Sequence, residues 1–120
     1  MANESTISIT VQHRGHMLIN HTNVNVDQAT RGRSGGVMNV TTGGISLDVG
    51  AVGTPGLLSL RNLDPSNYVQ WGPDNAGTMK VCGRLNPNGE PQLFRLDPST
   101  TFKLQANGAT CKVEFELLEN

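Results

Sequence analysis

Hydrophobic and polar residues alternate along most of this chain with a period of two, and no segment shows helical periodicity. The cleanest case is the last stretch, where Cys111, Val113, Phe115 and Leu117 fall on one parity and Lys112, Glu114 and Glu116 on the other. That is the pattern of a strand with one face in a core and one in solvent. Thr6 to Gln12 repeats it, with Ile7, Ile9 and Val11 on one face of a half-buried strand. His13-Arg14-Gly15-His16 is the turn that follows, and Met17 to Ile19 begins a return strand. Val24 and Val26 alternate with Asn23, Asn25 and Asp27 in a more polar strand, suited to a sheet edge or to pairing with another chain.

Thr30 to Gly36 (TRGRSGG) is a loop, after which Val37–Thr42 and Ile45, Leu47 and Val49 resume strand character. The centre of the chain is Pro55 to Gly72: a buried strand from Leu57 to Leu63, a turn at Asp64-Pro65-Ser66-Asn67, and a second strand from Tyr68 to Trp71. Proline presets the second position of a turn, and Asp and Asn side chains cap it, so this segment is read as a hairpin. Gly72 to Gly77 is a further turn cluster. Met79, Val81 and Leu85 share a parity opposite to Lys80, Cys82 and Arg84. Asn88-Gly89 marks a hairpin, Leu93–Leu96 a strand, Asp97 to Thr100 a turn, Phe102 and Leu104 another strand, and Asn107-Gly108 a second Asn-Gly turn. Strands recurring about every 8–12 residues between Gly, Pro and Asn punctuation predict an all-β chain. The expected form is an antiparallel β-sandwich, or flattened barrel, of about 8–10 short strands.

Composition sharpens this. At 120 residues the chain is a single domain over residues 1–120 with one modest core. Hydrophobic content of 36% and aromatic content of 4% make that core aliphatic and thin, a situation often relieved by a neighbouring subunit. Nine basic against ten acidic residues leave a net charge of −1, which argues against a nucleic-acid binder that relies on overall charge. The N-terminus lacks the basic and apolar regions of a signal peptide, and no apolar run is long enough to span a bilayer, so a cytoplasmic origin without membrane attachment is expected.

Candidate chemistry is sparse. Cys82 and Cys111 sit on opposite parities, which favours a buried thiol at 111 and a semi-exposed one at 82 over a bridge. His13, His16 and His21 have no cysteine and no HExxH spacing to complete a metal site, and are best read as solvated. Arg31-Gly32-Arg33 lacks a phosphate-loop pattern; a solvated loop, or an arm reaching a neighbouring subunit, accounts for it better. Tyr68 and Trp71, three apart, point to opposite faces of a strand, so they form no flat sugar platform, and Trp71 belongs in the core with Val69. No nucleophile elbow or paired carboxylates stand out, so no enzyme, cofactor or metal site is expected.

The run DVGAVGTPGLLSLRNLDPSNYVQWGPD resembles a signature of small virion structural proteins of tailed bacteriophages: aliphatic strand, (R)NLD, short turn, NYV, strand, Gly. The resemblance continues through Arg84-Leu85, the turn with Pro87, Gly89 and Glu90, the strand LFRL, the link Ser99-Thr100-Thr101 and ANGA, and covers roughly Gly44 to Glu119. It departs at Pro65, where such proteins commonly place a second small residue. It implies an all-β domain present in many copies in a phage particle, and within that class a capsid decoration (cement) protein. The alternatives are a tail, neck or baseplate component and, from another class, a glycan-binding module. The implied partners are the major capsid protein or other virion proteins and further copies of the chain, with no nucleic acid and no membrane. The implied location is the virion, after synthesis in the host cytoplasm. The first forty residues lie outside the resemblance. Residues 1–43 are expected to carry partner contacts, with Asn23, Asn25, Asp27, Arg31 and Arg33 as the contact residues, because open strand edges and arginines suit docking.

Overall fold

A computed structural model describes residues 5–26, 32–50 and 52–119, and among them there are eleven strands and no helix. Strands β1 (Ser5–His13) and β2 (His16–Val26) pair only with each other. The remaining strands are β3 (Arg33–Val40), β4 (Ile45–Ser46), β5 (Pro55–Asn62), β6 (Val69–Asn75), β7 (Thr78–Met79), β8 (Gly83–Leu85), β9 (Gln92–Arg95), β10 (Phe102–Ala106) and β11 (Cys111–Glu119). They form two antiparallel sheets. One runs β3-β11-β5-β9; the other runs β4-β10-β6, with β7 and β8 following one another along the same edge of β6.

From β3 onward the chain changes sheet at every connection except those that join β6, β7 and β8. Each strand therefore holds the same place in its sheet as its sequence partner does in the other: β3 with β4, β11 with β10, β5 with β6, β9 with β8. That order is a jelly roll, the double-sheet form of the expected sandwich.

Alternation explains which side chains close it. In β11, Cys111, Val113 and Leu117 are fully buried and Phe115 nearly so, while Lys112 and Glu114 are exposed. Leu58 and Leu60 of β5 face the core from the same sheet, and Val69, Leu85, Leu104 and Ala106 face it from the other. Burying each such aliphatic side chain contributes about 1.5–3 kcal/mol.

Several expectations need correction, each for a physical reason. The Pro55–Gly72 segment is not a hairpin, since β5 and β6 lie in different sheets. The turn chemistry is as expected: the Asp64 carboxylate accepts from the backbone N–H groups of Ser66 (3.0 Å) and Asn67 (2.6 Å). Both edges of β5 are already taken by β11 and β9, however, so the turn delivers the chain across the sandwich. Asn88-Gly89 and Asn107-Gly108 behave likewise. Asn88 and Gly108 have the positive φ values such turns use (44° and 82°), yet the turns join strands of opposite sheets. The true two-residue hairpin in the body is Ala76-Gly77, with φ of 52° and 91°, between β6 and β7.

Thr30 to Gly36 is not all loop, because Arg33 to Gly36 are the first half of β3 and pair with β11. Val81 does not share the orientation of Leu85. The register against β6 shifts by one residue between Asp74↔Met79 and Trp71↔Gly83, a bulge that reverses side-chain direction and leaves Val81 exposed. Met17–Ile19 and Val24–Val26 are parts of one strand, β2, and the β1 strand is not half-buried in the sandwich but belongs to a separate ribbon.

Candidate interaction surfaces

The ribbon is built by the His13-Arg14-Gly15-His16 turn, whose Arg14 and Gly15 take positive φ (49° and 81°). Its register places Ile7 opposite Val24, Ile9 opposite His21 and Val11 opposite Ile19, so these residues share one face. The other face carries Thr6 opposite Asn25 and Thr10 opposite Asn20. Two register shifts interrupt it. At the first, Asn23 adopts a φ of 54° and its N–H donates to the Ser8 hydroxyl at 3.1 Å. At the second, Leu18 is left without a cross-strand partner and is 64% exposed, the most exposed large apolar residue described.

Beyond the base of the ribbon, where Val26 is buried and Ile7 half-buried, its apolar side chains are uncovered: Ile9, Val11, Ile19 and Val24 expose 38–47% of their surface and Met17 51%. An isolated apolar face of this kind marks an interaction surface. The radius of gyration is 15.0 Å, above the value of about 13.6 Å for a compact chain of this length.

The expected contact residues fall unevenly. Asn23 and Asn25 lie on β2, Asn23 within the bulge and Asn25 on the polar face. Arg33 opens β3, and its guanidinium donates to the Glu116 carboxylate of the neighbouring strand. That partner raises the arginine's already high pKa by hydrogen bonding first and charge second. Asp27 and Arg31 lie outside the described residues.

Two further surfaces belong to the body. On the outer side of the β3-β11-β5 sheet, Gly36, Val37, Ser59, Glu114, Phe115 and Glu116 line a groove of about 300 Å³. Gly36, the ladder partner of Phe115, leaves open space where a β-carbon would stand. The second is a cleft of about 250 Å³ at the margin of the core, walled by Trp71, Phe94 and Phe102. Their ring centroids lie 4.9 to 5.7 Å apart, and Arg95 and Asp97 stand at the rim.

This aromatic cluster was not anticipated from the sequence. Its members are far apart along the chain, and only the inward parity of Trp71 with Val69 and of Phe102 with Leu104 hinted at it. Tyr68 is separate, capped by the Arg84 guanidinium 3.8 Å from its ring centroid. Trp71 is half-buried against the core rather than inside it, with its indole edge covered by Gly83.

Cys111 is buried and Cys82 exposed, both as free thiols, as their parities indicated. The Cys111 thiol lies 3.4 Å from the Ala109 carbonyl, and its pKa is raised by burial and then by the Asp64 charge. Among the described residues no group of three His, Cys, Asp or Glu side chains is placed to hold a metal ion, and no helix is long and apolar enough to cross a membrane. The chain is thus a jelly-roll sandwich bearing a β-ribbon arm. No protein-family model, curated protein or solved structure matches it.

Proposed function

We propose that this protein is a structural component of a tailed-phage particle, a capsid decoration protein that binds the assembled head through the major capsid protein. The observation that carries the reading is the arm, a two-stranded ribbon with an uncovered apolar face attached to a closed sandwich. Such a ribbon contributes little to its own stability in water and is suited to contact with a neighbour in an assembly. The resemblance of residues 44–119 to small virion proteins falls on the sandwich, and the arm lies outside it. Jelly rolls serve capsids, lectins and cupins alike, and fold by itself assigns no role.

Decoration is the direct test. Purified protein added to heads that lack it should co-sediment with them and raise their resistance to heat. Co-sedimentation with tails or baseplates instead would move the protein to those structures. Binding to no particle component would end the virion reading.

A further inference from the structure

We propose that the apolar face of the arm is covered by a second copy of this chain, with the arm of each copy lying in the Val37 groove of the other. The inference concerns the free protein in solution and stands whether or not the virion reading holds.

Three observations carry it. The first is amphipathicity without a cover. Ile7, Ile9, Val11, Ile19 and Val24 share a face, and no strand of the sandwich pairs with the ribbon.

The second is charge. Between Ser5 and Val26 the arm has His13, Arg14, His16 and His21 and no carboxylate. The groove presents the Glu114 carboxylate beside Val37, which is 56% exposed, while the neighbouring Glu116 is already held by Arg33. Apolar contact with Val37 and attraction between Arg14 and Glu114 therefore act together.

The third is area. A two-stranded ribbon as long as the nine-residue β1 presents a face of about 300 Å², at about 3.4 Å per residue and about 4.8 Å between strands. Two arms pressed face to face would hide about 600 Å², half of the roughly 1,200 Å² at which stable interfaces begin. Reciprocal exchange makes two arm-on-body contacts and reaches that size.

Light scattering and sedimentation equilibrium across a micromolar concentration series test this. The wild-type chain should associate reversibly. Val11→Thr combined with Ile19→Thr, which keeps β-branched residues on the strands, should weaken association by about tenfold or more. Arg14→Glu alone should weaken it, and the double variant R14E/E114R should restore it, because the exchanged charges meet across the two copies. Melting curves identify any variant that has simply lost its fold. A wild-type chain that stays monomeric at every concentration overturns the proposal. So does failure of R14E/E114R to restore association that R14E has weakened.

Discussion

The side-chain amide of Asn62 donates a 2.8 Å hydrogen bond to the backbone carbonyl of Asn67, spanning the corner where the chain leaves one sheet for the other. Asn62 is the one buried polar side chain among the described residues, 1% exposed. It also donates to the Leu85 carbonyl at 3.3 Å and accepts from the Asp64 N–H at 2.9 Å. Neighbouring turns gather there as well: the Asn88 N–H donates to the Asp64 carbonyl and the Asn107 N–H to the Tyr68 carbonyl, each at 3.0 Å. The end of the sandwich where three connections cross is thus tied together around a single amide.

Replacing that amide should therefore be costly. Asn62→Ala leaves buried backbone groups short of partners, at about 1–3 kcal/mol for each group left unsatisfied. Urea denaturation should show a loss of about 2–3 kcal/mol, whereas Asn39→Ala, on the exposed side of β3, should change stability by less than about 0.5 kcal/mol. Equal losses would mean that the amide is not the tie.

The register of β11 makes a paired prediction. Phe115→Ala removes a buried ring and should cost about 3–5 kcal/mol, while Glu114→Ala, one residue earlier on the solvent face, should cost less than about 0.5 kcal/mol. Thermal melts of the two variants read the difference directly.

Close packing of Gly83 against Trp71 makes a third. A β-carbon at position 83 would overlap the indole edge, so Gly83→Ala must displace the ring or β8. A loss of about 1–3 kcal/mol is expected, together with a shifted Trp71 emission maximum. An unchanged spectrum at full stability would show that the strand yields freely.

Thiol chemistry separates the cysteines. A disulfide reagent added to the native protein should titrate Cys82 quickly and leave Cys111 slow, because Cys111 is buried and its thiolate is disfavoured. In denaturant both should react. Two fast groups in the native state would place Cys111 at the surface.

Acid should act partly through Asp64. Hydrogen bonds from the backbone N–H groups of Asn67 and Ser66 hold its carboxyl below the ordinary carboxylate value. A folded-state pKa lower than the unfolded one stabilises the protein fully above the unfolded value, near about 3.9, and the gain is lost as pH falls through the folded value. Asp64→Asn should melt below the wild type at neutral pH, and the gap should close as the pH drops below about 4. A gap that persists at low pH would assign the effect to shape rather than to charge.

Local periodicity was enough to assign the inward residues of β11, the burial of Cys111, the turn at His13–His16 and the all-β character of the chain. Those features depend on side chains alternating about a strand axis and on the dihedral preferences of a few turn residues, and both are properties of short segments. Strand pairing is not such a property. An Asn-Gly or Asp-Pro turn sets two or three dihedrals, whereas the sheet that the next strand joins depends on which edges other strands have already filled. The signals at Asp64, Asn88 and Asn107 therefore marked real turns but not hairpins. The bulge that turns Val81 outward depends on the partner strand β6, and the Trp71–Phe94–Phe102 cluster depends on the meeting of two sheets. The arm shows the same division. Asn23 and Asn25 could be placed on a polar strand, whereas the Gly-rich surroundings of Arg33 read as a loop although it opens β3, and the alternation of Ile7, Ile9 and Val11 is the same for a core strand and for a projecting ribbon. A period of two establishes that a face is apolar; only the tertiary structure decides whether the chain's own body covers it.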